Sequence, residues 1–226
     1  MNYSPAELLG RFDYTADSGF VNLPESVADD ATHFVRCACA EAILDMHAAA
    51  QADAISLKVI SSSRNFGRQC RIWENKWNGI TLTEGINLAE AIDDPVERAR
   101  KILRFSAMPG TSRHHWGTDV DFNEVEDEYF LHGKGKDEYA WLVENAGRFG
   151  FVQPYTSRDS GRTSGYEEEK WHWSFLPLSR IFIGEYVEQI DYSLLSGFSG
   201  AETASILNVI DEYVCGINPV CLPGRV

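Results

Sequence analysis

Apolar residues recur at three- and four-residue steps along several stretches of the chain, the spacing that gives a helix one buried face. In residues 29–52 this pattern is carried by Val35, Cys39, Ala42 and Met46, and it predicts a helix there. The same pattern predicts helices over residues 137–149 and 201–214, and further helices are expected over residues 67–77 and 95–105, the latter with Pro95 in its first turn. Short apolar or alternating runs predict strands over residues 55–60, 118–122, 151–153 and 171–176.

The order of these elements favours an α+β fold. Strands and helices do not alternate as regular β-α-β units, so we expect a small antiparallel sheet surrounded by helices. Residues 1–27 are irregular and are predicted to lie as an arm on the core. Residues 28–226 are predicted to form a single domain that ends in a helical extension over residues 185–226.

Length and charge exclude several classes of protein. A chain of 226 residues suits one domain. Its 20 Lys and Arg against 34 Asp and Glu give a net charge of −14, which disfavours binding to nucleic acid or to an anionic membrane through net charge. No apolar run approaches the roughly 18 residues that would cross a bilayer. Residues 1–10 carry no secretory signal, so either the protein is made without one or one was removed before Met1.

The cysteines do not indicate a disulfide scaffold. There are five, so at least one is unpaired. Cys215 and Cys221 flank a turn with Gly216 and Pro219 and could form a disulfide; the alternative is buried free thiols.

Two histidine-containing segments carry residues suited to a catalytic metal. One holds His114 and Asp121, and the other holds His172. Hydrolytic zinc takes three ligands from His and Asp or Glu, and these three would leave a net charge of about +1 at the ion. That charge lowers the pKa of zinc-activated water to roughly 7. Glu169, three residues before His172, is the candidate carboxylate for proton transfer.

Strand geometry and ordinary packing limit this hypothesis. Residues three apart on a regular strand face opposite sides, so Glu169 must lie where the chain enters the strand. Gly117 can supply the bend between His114 and Asp121. The alternatives are a packed surface turn around His114 and a solvated charge run over residues 167–170. Neither segment matches the helix on which zincins place two histidines four residues apart.

Motifs in three segments, in this order along the chain, resemble those of one metallopeptidase family. The family's Ser-Gly-Tyr-Arg-Ser motif, followed by an aromatic residue and a Gln, is similar to residues 61–69, Ser-Ser-Ser-Arg-Asn-Phe-Gly-Arg-Gln. Its Ser-x-His-x-x-Gly-x-x-x-Asp motif is matched by Ser112, His114, Gly117 and Asp121. Its Glu-x-Trp-His motif is matched by Glu169, Trp171 and His172. The family is that of the VanY-like and LD-carboxypeptidase zinc metallopeptidases, in the wider group with lysostaphin, the D-Ala-D-Ala metallopeptidases and the hedgehog signalling domain.

The resemblance covers about residues 55–176 and implies both the fold and the metal. A small antiparallel sheet would carry the zinc site, with helices around it. Zinc would be held by His114, Asp121 and His172, and Glu169 would be the catalytic base and then the acid.

The resemblance also implies substrate contacts. Arg64 would face the scissile carbonyl oxygen or a substrate carboxylate, which suits a guanidinium that is always charged. Ser112 and Gln69 would hydrogen-bond the substrate or support the pocket. Trp171 would wall the cleft, although core packing of Trp171 or of the nearby Trp173 is an equal alternative.

Several residues depart from the family pattern: Ser62 and Ser63 replace its Gly-Tyr and change the pocket wall, Lys170 replaces a Pro, and two more lie beside the candidate ligands. Asp119 stands where the family commonly has a small residue, and it would either orient a ligand histidine or bind a basic substrate group. His115 has no matching role and is interpreted as exposed or as supporting the ligands.

The residues and the family resemblance together predict a zinc-dependent peptidase that acts on the stem peptides of peptidoglycan. The resemblance implies that the bond it hydrolyses involves a D-amino acid. D,D- or L,D-carboxypeptidase action is favoured. The alternatives are an endopeptidase, as a lysis enzyme or a secreted antibacterial effector, and a zinc-binding module without catalysis. The expected site of action is outside the cytoplasm, in the periplasm or cell wall. A delivered effector would also have an inhibitor or immunity protein as partner.

Overall fold

Eight α-helices and six short β-strands lie within residues 3–224, the part of the chain that the computed structural model describes. The helices are α1 Pro5–Leu8, α2 Cys37–Ala52, α3 Phe66–Trp77, α4 Leu88–Ala91, α5 Pro95–Ile102, α6 Gly133–Asn145, α7 Leu176–Gln189 and α8 Thr203–Ile206. The strands are β1 Phe20–Asn22, β2 Phe34–Arg36, β3 Val59–Ser61, β4 Asp119–Phe122, β5 Phe151–Val152 and β6 His172–Phe175. Among the short 3-10 helices, Arg113–Trp116 is the one that bears on function.

A four-stranded antiparallel sheet with the strand order β3-β4-β6-β5 carries the site, and β1 and β2 form a separate antiparallel pair. Side chains alternate between the two faces of a strand. Val120 and Trp173 therefore pack on one face into an apolar cluster with α2 and α6. The other face carries the polar residues Asp119, Asp121 and His172. The predicted α+β class with a small antiparallel sheet is confirmed.

A second apolar cluster joins α3, α5 and α7 with the N-terminal residues. Tyr3 stacks on Phe182 of α7, with ring centroids 3.8 Å apart, and Leu8 and Leu9 are buried. The indole Nε1–H of Trp116 donates to the carbonyl oxygen of Leu8. The N-terminal residues are therefore packed directly behind the 3-10 helix Arg113–Trp116.

Several predicted elements have different bounds in the structure. The helix predicted over residues 29–52 begins only at Cys37, because residues 34–36 pair with β1 and Arg36 N–H donates to the carbonyl of Gly117. The helix predicted over 137–149 begins at Gly133, and that predicted over 201–214 is divided between α8 and a π-helix, Ile210–Val214. Asn208, with φ of 49°, separates these two pieces. The long helix α7 was not predicted as an element.

All five cysteines are free thiols, so Cys215 and Cys221 do not form the disulfide that their spacing allowed. Cys221 is fully buried, which agrees with the alternative of a buried thiol. Within residues 3–224, no helix is both long enough and apolar enough to cross a membrane.

Candidate metal centre and active-site cleft

Two metal-ligand candidates lie opposite each other in neighbouring strands. β4 and β6 are antiparallel, and their register pairs Asp121 with His172. Both side chains point to the polar face, where Nδ1 of His172 lies 3.2 Å from Oδ1 of Asp121. The pairing of two short strands thus brings together residues that are 51 positions apart in the chain.

The third candidate comes from the 3-10 helix before β4. Gly117 ends that helix with φ of 73°, a left-handed conformation that favours glycine, and the chain then turns into the strand. The turn places Nε2 of His114 3.4 Å from Oδ2 of Asp121. One ligand atom from each of His114, Asp121 and His172 lies within 4.8 Å of the others.

The chemistry of these donors fits a zinc ion. Two imidazoles and one carboxylate are a known donor set of catalytic zinc. Oδ1 of Asp121 is buried and has no hydrogen-bond partner among the described residues, as expected of an atom kept for a metal. Burial raises the pKa of Asp121, but the two histidines outweigh burial and hold that pKa well below its usual value. Burial lowers the pKa of His114, so this imidazole and the Asp121 carboxylate are in the states that bind metal. Burial also lowers the pKa of His172, but its hydrogen bonds with Asp119, Asp121 and Glu169 outweigh burial and hold that pKa well above its usual value, so zinc would have to displace a proton from His172.

Each ligand histidine is held through its other ring nitrogen. Nδ1–H of His114 donates to the carbonyl oxygen of Ser62, at 2.9 Å. Nε2–H of His172 donates to Oδ1 of Asp119, at 3.1 Å. Such outer partners fix the orientation and the tautomer of a metal-binding histidine. Of the two roles predicted for Asp119, the structure favours orientation of His172, because Asp119 is completely buried and faces no open space.

Asp119 is itself fixed by Arg113. Nε of Arg113 donates to Oδ1 of Asp119 at 2.8 Å, and its Nη2 donates to Oγ of Ser174 at 2.6 Å. Thr118 adds a hydroxyl donor to Oδ2 at 2.6 Å. Burial raises the pKa of Asp119, but Arg113 and His172 outweigh it and lower the pKa strongly. Asp119 is therefore a permanent anion behind His172.

Glu169 lies beside the metal candidates because a turn precedes β6. The N–H of His172 donates to the carbonyl oxygen of Glu169 across residues 169–172, so these two residues are on the same side of the chain. Oε2 of Glu169 lies 3.3 Å from Nδ1 of His172. Burial raises the pKa of Glu169, and the nearby His172 opposes this shift. A carboxylate with a raised pKa is a stronger base than an ordinary carboxylate, which suits a group that accepts a proton and releases it again.

Arg64 faces the same cleft and is held by Gln69. Nη1 of Arg64 donates to Oε1 of Gln69 at 3.0 Å, and Nε2 of Gln69 donates to the carbonyl of Ala107 at 2.7 Å. Gln69 is 1% exposed and supports the pocket through its hydrogen bond with Arg64. Of the two roles that the family resemblance implied for Gln69, the structure shows support of the pocket.

His115 was expected to be exposed or to support the ligands, and it is buried. The N–H of Gly110 donates to its Nε2 at 3.1 Å, and its Nδ1–H donates to the carbonyl oxygen of Arg64 at 2.5 Å. The ring therefore ties the segment of Arg64 to the turn that precedes His114.

The metal candidates open into a cleft with a volume of about 560 Å³. Its lining includes Ser112 and Trp171, which the family resemblance had indicated, and also Tyr155. The ring of Tyr155 packs edge-on against His172, with centroids 4.8 Å apart. Trp173 is buried in the apolar cluster with α2, whereas Trp171 lines the cleft. Core packing therefore applies to Trp173, and the position in the cleft wall applies to Trp171.

Some residues of the site were not found from the sequence. Arg113 lies between two motif residues, but nothing in its spacing showed that it would pair with Asp119. The carbonyl of Ser62 has no sequence signal because any residue supplies that group. Lys76 lines the cleft from the last turn of α3, eleven residues after Asn65, which caps the start of this helix. A lysine on an amphipathic helix usually faces solvent, which hid this position.

Comparisons with known proteins agree with this geometry. The family model for VanY, D-alanyl-D-alanine carboxypeptidase, matches residues 32–178. The D-alanyl-D-alanine carboxypeptidase of Enterococcus faecalis is 31% identical over 137 residues, which cover 58% of this chain and 44% of that protein. The matched region therefore spans less than half the length of this relative.

Solved structures share the fold. The structure of VanYB in complex with D-Alanine-D-Alanine is 26% identical, with a TM-score of 0.53, and covers 80% of this chain and 93% of that chain. A vancomycin resistance D,D-pentapeptidase VanY, solved in complex with Zn(II), has the same fold with 24% identity, a TM-score of 0.51 and the same two coverages. The donor set of this His-Asp-His site fits the same metal. Because the family model covers more than half of the sequence, the chain belongs to the VanY family of D-alanyl-D-alanine carboxypeptidases.

Proposed function

We propose that this chain is a zinc-dependent carboxypeptidase that removes the terminal residue from peptidoglycan stem peptides, at a bond that involves a D-amino acid. The observation that carries the proposal is the cluster of His114, Asp121 and His172, with the carboxylate of Glu169 3.3 Å from His172. Family membership and the D-Alanine-D-Alanine bound in the VanYB structure support this substrate class.

The residues around the cluster divide the work of hydrolysis. Zinc, when bound to the three ligands, supplies a Lewis acid that polarises a carbonyl and acidifies water. Glu169 takes a proton from the attacking water and delivers it to the departing amine, a use that suits its raised pKa. Arg64, fixed by Gln69, faces the developing negative charge on the scissile carbonyl oxygen.

The place of action belongs to the same proposal. Stem peptides lie in the cell wall, so the enzyme would act in the periplasm or at the wall. An inhibitor or immunity protein would be a partner if the enzyme is delivered to other cells.

The test is mass spectrometry of defined muropeptides, with tetrapeptide, pentapeptide and cross-linked stems, in the presence and absence of a chelator. We expect one terminal residue to be released from a linear stem, and we expect the chelator to abolish the reaction. The linear stem that is shortened also distinguishes D,D from L,D cleavage.

Glu169→Gln should lower kcat by about 10²–10⁴-fold, because it removes proton transfer and leaves the ligands. The matched control is Glu168→Gln. Glu168 directly precedes Glu169, but its carboxylate pairs with Lys170, and neither residue lines the cleft. Full activity of Glu169→Gln would exclude the mechanism. Cleavage confined to cross-linked stems would indicate an endopeptidase, and no cleavage by the zinc-loaded protein would indicate a binding module.

A further inference from the structure

Lys76 places a second cation in the cleft. It lies in the last turn of α3, it is partly buried, and it lines the same cleft as Arg64 and Glu169. Its Nζ donates to the hydroxyl oxygen of Ser106 at 2.6 Å. The ammonium group is thus held toward the cleft by a neutral partner.

Lys76 forms no ion pair with any carboxylate in residues 3–224. Two acidic groups of the cleft rim, Glu84 and Asp127, are already paired with other basic residues. Glu84 pairs with Lys101, and Asp127 lies 3.2 Å from Nζ of Lys170. Arg113, deeper in the cleft wall, is neutralised by Asp119.

A buried ammonium without an anionic partner is unfavourable, because it loses hydration and gains no counter-charge. Burial lowers the pKa of Lys76, and the more distant Glu169 raises it only in part. An anionic group of a ligand would supply the missing partner. The cleft can therefore bind a second anionic group of a ligand, next to the negatively charged group that Arg64 faces.

We propose that Lys76 binds the free terminal carboxylate of the peptide substrate and so selects terminal over internal peptide bonds. This inference rests on the proposed function and assigns its carboxylate-binding residue. Only the amide nitrogen and one Cα separate the scissile carbonyl carbon from the terminal carboxylate carbon, so the two groups need two neighbouring cations. Arg64 serves the carbonyl oxygen and Lys76 serves the carboxylate.

Arg68 is the other basic residue near Arg64 in the chain. It is exposed at the start of α3 and is not in the lining of the cleft. The geometry therefore favours Lys76, which is two turns further along the same helix and faces the cleft.

The test compares two peptides that differ only at the end: a stem peptide with a free terminal carboxylate and its carboxamide. Their kcat/KM values are measured on the zinc-loaded wild type, Lys76→Met and Lys76→Arg. We expect the wild type to prefer the free acid and Lys76→Met to lose that preference by about 10–100-fold, the value of one charge-assisted hydrogen bond. Lys76→Arg should keep most of it. The matched control is Lys136→Met, an exposed lysine of α6 outside the cleft.

A binding measurement makes the result independent of turnover. Calorimetry on the Glu169→Gln protein, with and without Lys76→Met, gives the dissociation constants of both peptides. A wild-type preference that survives Lys76→Met in both measurements, with zinc binding intact, overturns the inference and leaves the proposed function standing. Failure of the wild type to cleave either peptide refutes the proposed function, and the calorimetric comparison then still decides the role of Lys76. Lys76→Gln serves if the methionine variant does not fold.

Discussion

The histidines beside the cleft are each fixed through a ring nitrogen that faces away from the cluster. A backbone carbonyl holds His114, and the buried carboxylate of Asp119 holds His172. His115 points the other way and connects two backbone segments, those of Arg64 and Gly110. Orientation therefore depends on residues that a search for metal ligands does not detect.

The burial of His115 has a cost that depends on pH. Burial lowers its pKa to about 3, whereas an unfolded histidine titrates near 6.5. As pH falls from about 6.5 toward 3, the unfolded chain binds a proton that the folded chain does not, so the free energy of unfolding decreases. We expect the wild type to lose ~2 kcal/mol more than His115→Gln between pH 7 and pH 5.

Urea unfolding at the two pH values, with chelator present throughout, measures this difference without a contribution from zinc release. The glutamine amide can replace both hydrogen bonds of the ring and has no proton to gain in this range. An identical loss in both proteins would show that His115 is not the buried neutral group described here.

At the scale of elements, one tight turn decides where the ligands meet. Gly117 joins the 3-10 helix to β4, and its carbonyl accepts the N–H of Arg36. A Cβ at this position would lie 2.3 Å from a ring atom of Phe20 and 3.2 Å from Cγ of Arg36. The β1–β2 pair thus packs closely against the turn between His114 and Asp121.

Gly117→Ala should destabilise the fold by about 2–5 kcal/mol, from the left-handed backbone and the contact with Phe20 together. Gly161→Ala is the control, because Gly161 also has a positive φ, 95°, but a Cβ there meets nothing within 4 Å. It should cost only about 1–2 kcal/mol. Urea unfolding of both variants separates the clash from the backbone term, and equal losses would argue against the clash.

The elements also show what the sequence could predict. Helices α3 and α5 were predicted from the local sequence, whereas the cluster on β4 and β6 was predicted from the motifs that resemble the metallopeptidase family. The start of α2 was missed because residues 34–36 take part in a pairing with β1, which depends on contacts far along the chain. Lys76 was missed for the same reason: only the packing of α3 shows that it faces the cleft.

At the scale of the whole molecule, zinc would connect parts of the chain that fold into different elements. His114 precedes the sheet, whereas Asp121 and His172 lie on two of its strands. The unfolded chain does not hold the three together, so zinc should bind the folded state and stabilise it.

Zinc at about 100 times its dissociation constant should add about 2.7 kcal/mol to stability and raise Tm by about 5–10 °C in a chain of this size. Asp121→Asn should abolish the shift, and Asp119→Asn should require about 10–100 times more zinc for the same shift. Thermal unfolding of chelator-treated protein across a zinc titration measures these effects. A wild-type Tm that does not respond to zinc would contradict the site.

The turn over residues 169–172 limits where residues can be inserted into or deleted from this protein. Glu169 and His172 face the cluster together only because two residues separate them across that turn. One residue more or less would rotate the carboxylate away from the histidine while leaving every side chain present. Insertions should be tolerated earlier in the chain, at the exposed residues 158–161. A relative that had both residues at a different separation would still contain a Glu and a His, but the carboxylate would not reach the metal site.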